Sequence, residues 1–180
     1  MKRLLTVILT LALAIGLCAC GGSSQTEETT AAPDTEAATE AQNAGGGTFK
    51  VDTVSWTLKG NWTLVEDSAD RDSVIDYVRK SGPGGNSVSG EVDSLSIDAE
   101  DLYSFLGNSY EFIESESTDV EGVGTIHTGY FIQEVDEYTF YDAHIILNYD
   151  SRTCHITIIS DSLDTTKGYV KEIVNTIDRD

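Results

Sequence analysis

Three histidines, His127, His144 and His155, are the residues whose type and spacing point most directly to chemistry. They fall in three consecutive stretches of strand-like alternation, 124–133, 138–149 and 152–160, which read as a meander. Two-residue turns at Asp136-Glu137 and Asp150-Ser151 would pair Val135 with Tyr138 and Tyr149 with Arg152. In that register His127 and His155 both lie opposite Ile146, and His144 lies opposite Gly129 and Thr157, so all three imidazoles share one face. Imidazoles converging from neighbouring strands, with Asp142 beside them, would form a three-histidine zinc site with an open position, suited to catalysis or transport. A metal-binding or metal-dependent site on His127, His144 and His155 is therefore one expectation. Structural or solvated histidines are the other, because the short ligand spacings of zinc motifs are missing.

The remaining reactive residues organise less well. Cys154 sits in RTCHITII, an alternating stretch without a nucleophile's neighbours, and reads as a small buried hydrophobe. Asp67, Asp70 and Asp72 in EDSADRDS lack the spacing and closing glutamate of a calcium loop, so a solvated turn is expected. There is no G-x-S-x-G elbow, no S-x-x-K and no H-E-x-x-H, and Gly82-Pro83-Gly84-Gly85 lacks the Gly-Lys-Ser/Thr ending of a phosphate loop. Neither an enzyme nor a bound cofactor is indicated.

The N-terminus is more specific. Lys2 and Arg3 precede an apolar run from Leu4 to Leu17, the layout of a secretory signal and too short to span a bilayer. Leu17-Cys18-Ala19-Cys20 resembles the lipobox cut by lipoprotein signal peptidase, which implies cleavage after Ala19 and a lipid on Cys20. Two acyl chains on that thiol would anchor the protein stably at about 0.8 kcal/mol per buried methylene. From Gly21 to Gly47 the chain has five acids, no basic residue and no large apolar side chain, so it cannot bury enough surface to fold. It reads as a disordered tether of roughly 30 Å root-mean-square span. The expected organisation is thus signal peptide 1–19, lipidated cysteine and tether 20–47, and one globular domain 48–180. The expected place is the extracytoplasmic face of the cell membrane.

A formal charge of -20 excludes nucleic acid as a partner, since no basic patch exists to displace counterions from a polyanion. With Cys18 cleaved away and Cys20 lipidated, Cys154 has no disulfide partner, so the domain must hold together by its core.

The elements expected to carry that core begin with a strand pair containing Phe49, Val51, Val54, Trp56, Leu58 and Trp62, turning around Lys59-Gly60-Asn61. Strands follow over 73–80 and 87–97. A helix then opens at Asp98 with Glu100 and Asp101 in its first turn, and its buried stripe is Leu102, Tyr103, Phe105 and Leu106. A short strand near Phe112 leads into the meander, whose core face collects Ile126, Tyr130, Ile132, Tyr141, Ala143, Ile145, Leu147, Cys154, Ile156 and Ile158. A last helix, capped by Asp161 or Ser162, buries Tyr169, Val170, Ile173, Val174 and Ile177.

This order of elements, with VSWTLKGNW, GVGTIHTGYF, YTFYDAHIIL and the closing helix after TCHITIIS, resembles the PsbP-like domains of extracytoplasmic lipoproteins and of the extrinsic proteins of photosystem II. The resemblance covers 48–180. It implies an α+β fold, an antiparallel β-sheet with a middle helix and a C-terminal helix packed on it as an α/β/α sandwich. It further implies a non-catalytic binding or accessory role toward an envelope protein or small ligand. It carries no functional residue onto this chain.

Overall fold

The computed structural model describes residues 47–65 and 74–180; the signal segment, Cys20, the tether up to residue 46 and the Asp67, Asp70 and Asp72 segment lie outside the described residues. The strands are β1 (Thr48–Val51), β2 (Val54–Thr57), β3 (Thr63–Leu64), β4 (Val74–Ser81), β5 (Ser87–Asp93), β6 (Glu111–Val120), β7 (Gly124–Val135), β8 (Tyr138–Tyr149), β9 (Arg152–Ser160) and β10 (Asp178–Arg179). Helix α1 (Ala99–Leu106) lies between β5 and β6, and α2 (Leu163–Thr176) follows β9. Seven strands form an antiparallel sheet in the order β3-β4-β5-β9-β8-β7-β6, and β1-β2-β10 form a smaller one.

The meander follows the expected register throughout, with Val135 opposite Tyr138, Tyr149 opposite Arg152, and Ile146 opposite both His127 and His155. Its turns hold because Asp136, Asp150 and Ser151 adopt positive φ values of 55°, 45° and 64°, the left-handed backbone that two-residue hairpins require and that short polar residues tolerate. Alternation then sorts the two faces. One buries Ile126, Ala143, Ile145, Leu147, Cys154, Ile156 and Ile158 against Val170 and Ile173 of α2 and against the small sheet. The other buries Phe131 and Ile146 under Ala99 and Tyr103 of α1.

The first hairpin differs from expectation. The chain reverses at Asp52-Thr53, not at Lys59-Gly60-Asn61, so that Phe49 pairs with Trp56 and their rings stack at 5.2 Å. Asp52 takes a φ of 49° there. Burial alone would push its carboxyl pKa up, but hydrogen bonds from Tyr149 and Arg152 outweigh that and hold it below the usual carboxylate range. The 59–61 segment instead carries the chain from the small sheet to β3 on the large one. Gly60 has a φ of 101° there, and the Trp62 indole donates back to the Lys59 carbonyl at 3.0 Å.

Helix α1 starts as expected, with the Asp98 carboxylate accepting from the N–H groups of Glu100 and Asp101 at 2.9 and 3.0 Å. Phe105 leaves the buried stripe and is 72% exposed. The stripe facing the sheet runs through Ala99, Leu102, Tyr103 and Leu106, and position 105 is turned about 200° from Tyr103. Because α1 is short and its cap satisfies two orphan donors, Asp98→Ala should lower stability by about 1 kcal/mol while Asp98→Asn should retain most of it, readable in urea denaturation midpoints. Helix α2 is capped by Ser162 and ends at Thr176, with Ile177 buried just beyond it. The chain then adds β10 to β2, a strand too short to carry a sequence signal. Among the described residues no helix is long and apolar enough to cross a membrane.

Candidate functional site

Two places on this frame depart from what folding alone requires. The first is the histidine face. His144 on β8 and His155 on β9 are diagonal neighbours, and their rings stack with centroids 5.2 Å apart and Nδ1 of His144 3.0 Å from Nε2 of His155. Nδ1 of His155 lies 3.3 Å from Oε1 of Glu91, its partner across the β5–β9 ladder, and the Thr157 hydroxyl lies 3.3 Å from its Nε2. The network assigns the tautomers when both rings are neutral. His155 donates from Nδ1 to Glu91, so its Nε2 accepts from Nδ1 of His144, and the His144 Nε2 is left as a bare acceptor. That atom is buried and has no hydrogen-bond partner among the described residues. Burial, reinforced by the neighbouring His155 and opposed by Glu91, lowers the His144 pKa to about 3. Tyr103 of α1 covers this strand and donates its hydroxyl to the His144 carbonyl at 3.1 Å.

The three imidazoles share a face, but they do not converge on one metal. His127 and His155 flank β8 from opposite sides, two strand spacings or about 10 Å apart. The fully buried Ile146 occupies the position between them. His127 is engaged instead with the Ser117 hydroxyl at 2.8 Å. Among the described residues no group of three His, Cys, Asp or Glu side chains is placed to hold a metal ion. Asp142 lies on the same face, 3% exposed, with Oδ1 lacking a hydrogen-bond partner among the described residues, and burial raises its pKa to about 6.

Thr157, His155 and Glu91 connect in the order of nucleophile, base and orienting acid. Thr157, however, sits mid-strand in β9, between β5 and β8, where the ladders on both sides use the backbone N–H groups that an oxyanion would need. Cys154 faces the main core, and burial pushes its thiol pKa up to about 12, which leaves it inert as a nucleophile.

The second place is a cleft of about 410 Å³ between α2 and the outer strand β6. Glu114 and Glu116 of β6 stand on one wall and Lys167 and Lys171 of α2 on the other, with apolar surface from Tyr130, Val170 and Val174. Lys167 reaches across to Glu114 and lies 5.5 Å from the Tyr130 ring centre. The Tyr130 hydroxyl donates to Glu116 at 2.6 Å. Burial and the adjoining Glu116 and Glu114 carboxylates push that phenol's pKa well above its ordinary value. Sequence reasoning left this cleft unmarked. Strand β6 runs ten residues where only a short strand near Phe112 is expected, because an edge strand that packs only Ile113 and Val120 against the core shows no apolar alternation. The available signal was the alternation of acids with serines in ESES.

The fold class is α+β, an antiparallel sheet with a middle helix on one face and a C-terminal helix on the other, in a PsbP-like architecture. Among solved structures the chain is similar to cyanobacterial PsbP, CyanoP, from Synechocystis sp. PCC 6803, with a TM-score of 0.59 and 14% identity over 78% of this chain and 96% of that one. The Saccharomyces cerevisiae Ran-binding protein Mog1p aligns with a TM-score of 0.48 and 9% identity over 69% of this chain and 89% of that one. No protein-family model and no curated protein sequence matches the chain. At 14% identity the likeness is one of fold.

Proposed function

We propose that this chain is a lipid-anchored extracytoplasmic protein whose PsbP-like domain binds an envelope protein through the cleft between α2 and β6, as an accessory factor and without catalysis. The observation that carries the reading is the cleft itself, where apolar surface is flanked by opposed carboxylates and ammonium groups. Such a mixture suits recognition of another chain better than enclosure of a small apolar ligand. The anchor at Cys20 rests on the lipobox-like LCAC and would keep the domain within tether range of partners in the membrane.

Photo-crosslinking in cells from position 174 in the cleft should yield a discrete protein adduct, while position 95, exposed on the surface, should not. Absence of any adduct from the cleft, or equal adducts from both positions, overturns the reading. For the anchor, Cys20→Ala should move the protein from the membrane fraction to the soluble fraction and abolish labelling by a radioactive fatty acid. Retention of both in the variant would overturn lipidation at Cys20.

A further inference from the structure

We infer that the segment recognised at this cleft is an extended, lysine- or arginine-rich strand that adds to the outer edge of β6. The inference rests on the proposed docking role and specifies the partner's chemistry.

The edge is the first observation. Strand β6 ends the seven-stranded order, and from Glu114 to Val120 its pairing with β7 runs without a break. Alternate N–H and C=O groups along such a strand point away from its neighbour and form a template for another strand. The cleft is the second. A strand laid along this edge would turn every other side chain toward the cleft, where the alkyl stem of a lysine or arginine covers Tyr130, Val170 and Val174 and its charged head reaches Glu114 and Glu116 on the same wall. Charge then selects the occupant. Strand β6 carries Glu111, Glu114, Glu116 and Asp119 and the following turn adds Glu121, so these five carboxylates outnumber the two ammonium groups, Lys167 (paired with Glu114) and Lys171, that α2 sets across the cleft. A second copy of β6 would bring like charges face to face, which cross-strand pairing penalises. The chain's own 21–47 segment, with five acids and no basic residue, is repelled in the same way. A cationic strand meets both the carboxylates and the edge backbone that no described residue pairs.

Hydrogen exchange on the whole chain in detergent tests this with a decapeptide of alternating Lys and Val. The peptide should slow exchange of the 111–120 amides at least tenfold. The same peptide N-methylated along one edge should bind at least tenfold more weakly, and an alternating Glu and Val peptide should leave β6 unchanged. Equal binding of the N-methylated peptide would show charge adsorption without strand pairing and overturn the inference. So would protection of β6 that rises with protein concentration in the absence of peptide, the signature of a second copy. A crosslinked partner at position 174 combined with an unprotected β6 would end strand addition and leave the docking role standing.

Discussion

Asp142→Asn stabilises the domain by about 3 kcal/mol at pH 8. The Asp142 carboxyl is 3% exposed, one oxygen lacks a hydrogen-bond partner among the described residues, and its folded pKa is raised from 3.8 to about 6 by burial. Above pH 6 the folded state must hold that charge out of water, and each pH unit between the unfolded and folded pKa costs about 1.4 kcal/mol. Asparagine keeps the shape and carries no charge. The pH dependence separates this effect from simple repacking. A raised carboxyl contributes stability that is full below the unfolded value near 3.8 and lost as pH rises through about 6. His144 has the opposite sign: its pKa is lowered from 6.5 to about 3, so its contribution is full above 6.5 and lost as pH falls toward 3. Between about pH 4 and pH 6 the two slopes oppose each other, each near 1.4 kcal/mol per pH unit, and nearly cancel in the natural chain. In the Asn variant only the His144 slope remains, and stability falls on acidification from pH 6.5. Urea denaturation across this range reads both effects. A variant no more stable than the natural chain at pH 8, or one with an unchanged pH profile, would show that Asp142 is stabilised as an anion.

Gly90→Ala destabilises by about 3 kcal/mol, at the upper end of what one added methyl does to a packed core. A Cβ at Gly90 would stand 2.3 Å from Cη2 of Trp56, with Cζ2 and Cζ3 at 3.1 and 3.3 Å. Both partners are fixed: Gly90 pairs with Val78 and Ile156 in the middle of the large sheet, and Trp56 is stacked on Phe49. The crowded atoms belong to the outer ring of the indole, which phenylalanine lacks. The Trp56 Nε1 has no hydrogen-bond partner among the described residues, so Trp56→Phe forfeits no hydrogen bond seen there. The double variant should therefore be more stable than the sum of the single losses predicts, by more than about 1 kcal/mol. Strict additivity in thermal unfolding would refute direct contact as the cause.

The meander and its register were legible because turn and alternation agreed at every step, from Asp136-Glu137 to the placing of Ile146 between two histidines. What that register meant for chemistry was not. Sharing a face is a property of strand pairing, whereas meeting depends on what fills the space between, and Ile146 fills it. Glu91 was hidden for a related reason: β5 neighbours β9 only after α1 and three further strands have intervened, so no local pattern joins Glu91 to His155. The first hairpin was misplaced because Gly60 is a stronger turn signal than Asp52, whose left-handed backbone is secured by the distant Tyr149 and Arg152. Strand β6 shows the limit most clearly, since an edge that packs only Ile113 and Val120 against the core, seven residues apart, has no periodic apolar signal.

The packing of Phe49 also has a mechanical consequence. Any pull on the chain ahead of Thr48 is borne first by β1, the outermost strand of the small sheet, whose ladder with β2 spans only four residue pairs. So short a ladder peels readily, one pair at a time. Phe49 is wedged between Trp56 and Trp62, at 5.2 and 5.6 Å, with the Lys80 ammonium 4.9 Å from its ring centre. Peeling β1 past that residue means withdrawing an aromatic ring from the main core. Under tension the domain is fastened by two side chains of β1 acting as bolts, Phe49 and the fully buried Val51, while the strand around them serves mainly to hold them in line.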